Sequence, residues 1–130
     1  MRHWRPTATT PSLAAMHDDA ALAGRAARVG ERLRAGALRL VTAESCTGGW
    51  IAKVCTDIAG SSDWFDCGYV TYSDAAKVRD LGVRQETLDT QGAVSSPTVQ
   101  EMAEGALRLT AADIAIAVSG IAGPSGAVAG

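Results

Sequence analysis

The chain has 130 residues, of which 47% are hydrophobic and 20% are charged, and its formal net charge is -2. These values are ordinary for a single globular domain, and the weak negative charge argues against a nucleic-acid-binding surface. No apolar stretch approaches the roughly 20 residues that a transmembrane helix needs. We therefore expect neither a nucleic-acid partner nor a membrane partner.

The first segment and the first helix can be read from composition and spacing. Residues 1–17 contain two prolines and a Thr/Ser cluster without a helical or strand period, which predicts a flexible leader before a domain at 18–130. Asp18 and Asp19 then supply N-cap chemistry, and a helix is expected to end near Gly36. Its apolar face consists of Leu22, Ala26, Val29 and Leu33.

The remaining pattern alternates strands with helices. Ser95-Ser96-Pro97 is typical of a helix start, with serine as the N-cap. This alternation predicts an α/β fold, a three-layer α/β/α sandwich with a mixed or mainly parallel sheet, in which ligands bind where strands end and helices begin. The expected strands are 38–43, 64–72 and 113–119, and the other expected helices are 50–58, 74–81 (ended by Gly82), 85–90 and one with Pro97 at its first position.

Two loops at strand ends are candidate ligand sites. Residues 44–49 (Glu-Ser-Cys-Thr-Gly-Gly) join a strand to a helix, and residues 119–126 follow the last strand. Unpaired N–H groups at a helix start can bind a phosphate, a carboxylate or a developing oxyanion. Taken alone, a capped helix start or a plain turn explains each loop as well. Together they could form opposite walls of one cleft.

The cysteine and histidine content limits which catalytic and metal sites the domain can contain. The three cysteines, Cys46, Cys55 and Cys67, are odd in number and form no C-x-x-C pair, which argues against a disulfide framework or a thiolate zinc site and indicates a reducing, cytoplasmic location. The two histidines, His3 and His17, both precede the expected domain. A histidine-based triad or zinc site inside the domain is therefore excluded unless the leader folds back.

A base for a hydroxyl or thiol nucleophile must then be a lysine or a carboxylate. Of the two lysines, Lys53 lies in the middle of a predicted helix, whereas Lys77 follows a strand end on the expected ligand side. Lys77 is the better candidate, although a lysine needs a lowered pKa to act as a base. A thiolate at Cys46, near a helix start, is a rival nucleophile, and a buried structural thiol is the alternative for that residue.

The chain also resembles a known family. Segments 42–49, 60–65, 68–77, 82–83, 92–95 and 119–124 are similar, in order and spacing, to the CinA C-terminal domain family. The resemblance runs from about Leu22 to Gly126. It implies hydrolysis of the carboxamide of nicotinamide mononucleotide to nicotinic acid mononucleotide and ammonia in pyridine nucleotide recycling, with self-association and with no metal or other cofactor.

The resemblance also implies residue roles. Ser45 would be the nucleophile and Lys77 the base, in a Ser/Lys mechanism without histidine. Ser62, Tyr72 and Ser119 would act as relay or orienting groups, and Ser62 is an alternative nucleophile. The substrate-binding residues would be Glu44, Thr47, Gly48, Gly49, Ser73, Ser119, Gly120 and Gly123.

One feature departs from the family. Members continue beyond this glycine-rich loop with a Lys-Pro-Val-Gly-like turn, at least one more strand, a final helix and a basic residue that assists substrate binding, whereas this sequence ends at Gly130. The larger nucleotide-processing domain of full-length members is also absent, so the resemblance is to the stand-alone type. We expect an apparently truncated domain with uncovered apolar surface and an unpaired sheet edge. A catalytically impaired nucleotide-binding or oligomerisation domain is the alternative function.

Overall fold

Three parallel strands form the sheet in the described part of this protein, in the order β2-β1-β3. The computed structural model describes residues 18–121. The central strand β1 (Leu40–Glu44) pairs with β2 (Phe65–Val70) on one side and β3 (Ile114–Val118) on the other. Parallel neighbours require long crossover connections, and helices lie in each of them. All five residues of β1 are buried because strands cover both of its edges and helices cover both of its faces.

Three of the five α-helices in residues 18–121 begin at an N-cap side chain. The side chains of Asp18, Ser73 and Ser95 each accept a hydrogen bond from a backbone N–H in the first turn of the helix that follows. Gly82 ends one helix in the left-handed region, with φ of 69°. The helices are α1 (Asp19–Ala35), α2 (Trp50–Thr56), α3 (Asp74–Leu81), α4 (Gln85–Gln91) and α5 (Ser96–Leu109), with a 3-10 turn at Ser61–Asp63.

Side chains of β1 alternate between two hydrophobic layers. Leu40 packs with Leu33 of α1 and Cys55 of α2. Val41 and Ala43 face the opposite layer. That second layer is built from α3, α4 and α5 and includes Leu81, Val83, Leu88, Met102 and Ala106. The expected α/β fold with helices on both faces of the sheet is therefore confirmed, and the described sheet is entirely parallel.

Element boundaries differ from expectation by one or two residues at several ends. The strand predicted at 64–72 forms ladder pairs at Phe65–Val70, and the helix predicted at 50–58 ends at Thr56. Helix α3 occupies the predicted range of 74–81. The expected leader, residues 1–17, lies outside the described residues.

An apolar cleft lies on the α1 and α2 side of the sheet. It has a volume of about 350 Å³ and includes Ile116 of β3. Among residues 18–121, β3 pairs with β1 alone. The other cleft residues are Leu22, Arg25, Ala26, Val29, Leu40, Trp50, Ile51, Val54 and Cys55.

No helix among residues 18–121 is long and apolar enough to span a bilayer.

Candidate active site

Ser45 extends the central strand by one residue toward helix α3. Its backbone N–H donates to Val118 O at 3.1 Å, which continues the β1–β3 hydrogen bonding. Because successive side chains of a strand point to opposite faces, Ser45 shares the face of Val41 and Ala43, which pack on the α3–α5 layer. Only 6% of Ser45 is exposed. The alternation of side chains along the strand therefore directs the Ser45 hydroxyl to helix α3, which carries Lys77.

Lys77 meets Ser45 in a buried cluster at the carboxyl edge of the sheet. Its Nζ lies 2.9 Å from Ser45 Oγ, 2.8 Å from Thr71 O and 3.1 Å from Tyr72 O. Only 1% of Lys77 is exposed. Helix α3 begins just after β2 ends, so a lysine one turn into the helix reaches back over the end of that strand.

Burial lowers the pKa of Lys77 below its ordinary value because the charged ammonium loses solvation. The nearby Asp74 carboxylate and Cys46 thiol act in the opposite direction and raise the pKa, but burial has the larger effect. A lower pKa increases the fraction of neutral amine near physiological pH. This is the change that a lysine needs to serve as a general base.

The three oxygens around Lys77 Nζ can accommodate both protonation states of the amine. A neutral amine has two N–H donors and one lone pair, so it can donate to Thr71 O and Tyr72 O while accepting the Ser45 hydroxyl proton. An ammonium can donate to all three oxygens. The Ser45 hydroxyl also lies 3.4 Å from Tyr72 O, which gives it an alternative acceptor.

Glu44, the last residue of β1, points to the opposite face and binds the start of α2. Its Oε1 accepts hydrogen bonds from Thr47 Oγ1 at 2.7 Å and from Ile51 N at 2.9 Å, and its Oε2 accepts one from Ala52 N at 3.0 Å. The N-cap residue of α2 is Gly49, which has no side chain to fill this role. Two donors of the helix start that the sequence suggested for a ligand are therefore bonded to a carboxylate of the protein itself.

The glycines of this loop adopt backbone angles that favour glycine. Gly48 has φ of 61° and Gly49 has φ of 99°, both in the left-handed region. They let the chain turn sharply between Ser45 and the first residue of α2, Trp50.

The other candidate residues at this edge have different contacts. Ser73 Oγ accepts a hydrogen bond from Ala76 N and caps α3. The side chain of Tyr72 is largely exposed, with 71% of the residue accessible, and only its carbonyl contacts Lys77. Ser119 and Gly120 follow β3 at the same edge, and a Cβ on Gly120 would lie 3.2 Å from Cys46 Sγ. Gly123 lies outside the described residues.

Ser62 is not brought to Lys77. It lies in the 3-10 turn before β2, and its carbonyl oxygen accepts a hydrogen bond from Arg39, at the amino edge of the sheet. A strand rises about 3.3 Å per residue, so the six residues of β2 separate this turn from Lys77 by roughly 20 Å. The amino and carboxyl ends of parallel strands lie at opposite edges, and the two serines are on opposite sides for this reason.

The sequence did not predict the two backbone carbonyls that bind Lys77, although Tyr72 was expected to act as a relay or orienting group. Thr71 and Tyr72 contribute main-chain oxygens, and no side-chain pattern identifies such a group. The position of Lys77 in the sequence indicates these partners, because a lysine one turn into a helix that follows a strand faces the end of that strand. Across residues 18–121, no three His, Cys, Asp or Glu side chains are grouped closely enough to hold a metal ion.

Comparison with protein families gives a match to the CinA C-terminal domain over residues 23–130. The chain belongs to the CinA C-terminal domain family. The match covers more than half of the sequence and includes every described residue of the cluster around Lys77. The expected family is therefore confirmed.

Individual relatives agree with this assignment. Over 99 residues, the chain is 61% identical to the nicotinamide-nucleotide amidohydrolase PncC of Escherichia coli K12, which corresponds to 76% of this chain and 60% of that protein. It is 57% identical over 98 residues to a CinA-like protein of Chloroherpeton thalassium, covering 75% of this chain and 23% of the relative. The chain thus spans about three fifths of the amidohydrolase that it matches, and about a quarter of the CinA-like protein.

A solved structure has the same fold. The competence/damage inducible protein CihA of Agrobacterium tumefaciens superposes with a TM-score of 0.81 at 49% sequence identity, covering 87% of this chain and 67% of that one. The architecture described here is thus the architecture of this family.

Proposed function

We propose that this protein is an amidohydrolase that removes ammonia from the carboxamide of a nicotinamide nucleotide. The observation that carries the proposal is the buried hydrogen bond of 2.9 Å between Lys77 Nζ and Ser45 Oγ. It joins a hydroxyl nucleophile to an amine whose pKa is lowered by burial. Such a pair meets the requirement that a serine nucleophile have a base within hydrogen-bond reach.

In the first half of the proposed reaction, Ser45 attacks the carboxamide carbon. Its hydroxyl proton passes to the Lys77 amine, and Oγ forms a bond to the carbonyl carbon while the carbonyl oxygen becomes an oxyanion. The amide N–H groups of Cys46 and Thr47 have no acceptor among residues 18–121, and we propose them as the oxyanion donors. Lys77 then returns the proton to the amide nitrogen, the carbon–nitrogen bond breaks, and ammonia leaves an ester on Ser45.

In the second half, water replaces the serine. Lys77 takes a proton from water, the hydroxide attacks the ester carbon, and the carbon–oxygen bond to Ser45 breaks. Lys77 returns its proton to Ser45 Oγ. The products are a carboxylic acid and a regenerated Ser45–Lys77 pair, so one water is consumed for each ammonia released.

The relatives support the proposed substrate class. A protein 61% identical over 99 residues is named nicotinamide-nucleotide amidohydrolase, and this chain spans 60% of its length. Nicotinamide mononucleotide is therefore the substrate that we propose. The free thiols of Cys46, Cys55 and Cys67 favour a reducing, cytoplasmic location as part of the same proposal.

The test is ammonia release from nicotinamide mononucleotide by purified protein. We expect Ser45→Ala and Lys77→Met each to lower the rate by about 10²- to 10⁴-fold, because one removes the nucleophile and the other the base. Lys53→Met is the matched control and should leave the rate unchanged, since Lys53 is the only other lysine and pairs with Asp57 on the surface. Absence of turnover by the unaltered protein would contradict the proposal, and nucleotide binding without turnover would favour the impaired domain.

The same assay separates the two candidate nucleophiles. A Cys46→Ala variant should retain activity if Ser45 carries the reaction. If Cys46→Ala were inactive while Ser45→Ala remained active, a thiol mechanism would replace the one proposed here.

A further inference from the structure

Glu44 is the buried charged group that the proposed reaction does not use. It is fully buried at the end of the central strand, directly before Ser45 in the chain. Its backbone is held in the sheet, because its carbonyl oxygen accepts a hydrogen bond from Thr71 N at 2.9 Å. A buried carboxylate is costly unless hydrogen bonds compensate it, so its partners show what it stabilises.

All three donors to the Glu44 carboxylate lie in the segment that follows Ser45. They are the hydroxyl of Thr47 and the backbone N–H groups of Ile51 and Ala52, and they occupy both carboxylate oxygens. Among residues 18–121, no lysine or arginine pairs with Glu44. The charge is therefore compensated by neutral donors and by the positive end of the helix dipole of α2.

Helix α2 depends on this contact more than a longer helix would. It has only seven residues, and its N-cap Gly49 supplies no side-chain bond. Helices of this length are marginal on their own in water. Glu44 thus takes the role of an N-cap side chain, although it precedes the two backbone amides that it binds by seven and eight residues. It joins the start of α2 to the end of β1.

Two separate contacts hold the two ends of the turn that carries Ser45. At one end, Ser45 N is bonded to Val118 O. At the other end, the first turn of α2 is bonded to Glu44. The Ser45 hydroxyl emerges from the same backbone segment on the opposite face, where it meets Lys77.

We propose that Glu44 is a positioning residue for the Ser45–Lys77 pair and that it does not contact the substrate. This inference rests on the proposed amidohydrolase function. It reassigns Glu44 from the substrate-binding role that the family resemblance implied. At the start of α2, the Glu44 carboxylate already accepts hydrogen bonds from the backbone N–H groups that a substrate phosphate would bind.

The test replaces the acceptor without changing its shape. Glu44→Gln retains one oxygen but presents an NH₂ group to the N–H of Ala52, so it removes one of the three bonds and the charge. Thr47→Val removes a different bond and keeps the carboxylate, which provides a milder second variant. Thr42→Val is the matched control, because Thr42 lies on the same strand, is equally buried, and has a hydroxyl with no hydrogen-bond partner among residues 18–121.

Steady-state kinetics gives the first readout. Displacement of reacting groups by about 1 Å can cost on the order of 100-fold in rate. We expect Glu44→Gln to lower kcat by roughly 10-fold or more with KM unchanged, Thr47→Val to lower it less, and Thr42→Val to have no effect. A higher KM with unchanged kcat in Glu44→Gln would overturn the proposal in favour of substrate contact.

The second readout does not depend on turnover. The chain has two lysines, so a protein labelled with ¹³C at lysine Cε gives two NMR signals, and the exposed Lys53 serves as an internal reference. We expect the pKa of Lys77 to lie below its ordinary value and to rise toward that value in Glu44→Gln, because a loosened turn admits water. An unchanged Lys77 titration together with an unchanged kcat would overturn the positioning role.

The two readouts keep the two proposals distinguishable. If the protein released no ammonia from nicotinamide mononucleotide, the proposed function would fail, and the lysine titration would still decide whether Glu44 holds the pair in place. Circular dichroism at the assay temperature establishes that each variant is folded. If Glu44→Gln is unfolded, Thr47→Val is compared with Thr42→Val instead. Equal titration of Lys77 in these two variants would overturn the positioning role.

Discussion

At the scale of single residues, the protonation of Lys77 is governed by competing neighbours. Burial lowers its pKa, whereas the carboxylate of Asp74 raises it. Asp74 lies three residues before Lys77 in the first turn of α3, and it is exposed. A lysine works as a base only when it is neutral, so activity should appear as the pH rises through its pKa.

Asp74→Asn should therefore shift the acid limb of the pH–rate profile to lower pH. Removing the carboxylate removes an influence that raises the pKa of Lys77, and the pKa falls further below the ordinary value of about 10.4. The plateau rate should stay the same. Asp80→Asn is the control, since Asp80 is on the same helix but is bonded to Arg79. A shift toward higher pH in Asp74→Asn would contradict this account.

At the scale of elements, the packing of α5 on α3 depends on a glycine. A Cβ at Gly105 would overlap the carbonyl oxygen of Leu81 and lie 2.9 Å from its carbonyl carbon. This is backbone, which cannot rotate away as a flexible side chain can. The close approach brings α5 against the end of α3 and so helps to hold the helix that carries Lys77 against the sheet.

Two glycine-to-alanine substitutions should consequently have opposite effects on stability. Alanine favours a helix over glycine by about 1 kcal/mol, and this benefit should appear at Gly24 in α1, where a Cβ would meet nothing within 4 Å. Gly105→Ala should instead lose about 1–3 kcal/mol, because overpacking exceeds the gain in helix propensity. Urea denaturation measures both. Equal effects at the two positions would show that the Leu81 contact does not constrain α5.

At the scale of the whole molecule, the two faces of the sheet are covered to different extents. The layer of α3, α4 and α5 encloses a core in which Met102 and Ala106 are fully buried. On the α1 and α2 side, the apolar cleft leaves Val29 with 42% and Ile116 with 38% of their surface exposed. Apolar surface of this kind binds hydrophobic dyes in water.

We expect the cleft to bind the dye ANS, and Val29→Lys to reduce the resulting fluorescence. A charged side chain on the wall of the cleft makes dye burial unfavourable. Leu107→Lys, at a comparably exposed position of α5 outside the cleft, should leave the fluorescence unchanged. Neither variant should alter ammonia release, because neither Val29 nor Leu107 is among the hydrogen-bond partners of Lys77. Equal fluorescence in both variants would contradict binding at the cleft.

Much of the fold could be predicted from the sequence because its signals are local. The caps at Asp18, Ser73 and Ser95 and the stop at Gly82 each involve hydrogen bonds within a few residues. Such bonds form wherever the local chain permits, so composition and spacing located the helices to within about two residues. The alternation of strands and helices also predicted an α/β fold with both faces of the sheet covered.

The tertiary structure alone decided which groups meet. Ser45 and Ser62 were both possible neighbours of Lys77 in the sequence, and only the direction of the parallel strands places them at opposite edges. Successive side chains at the end of β1 point to opposite faces of the sheet. Glu44 therefore binds the start of α2, whereas Ser45 reaches Lys77. Ser45 and Lys77 are 32 residues apart, and a contact over that distance depends on strand register and helix packing, which local sequence does not encode.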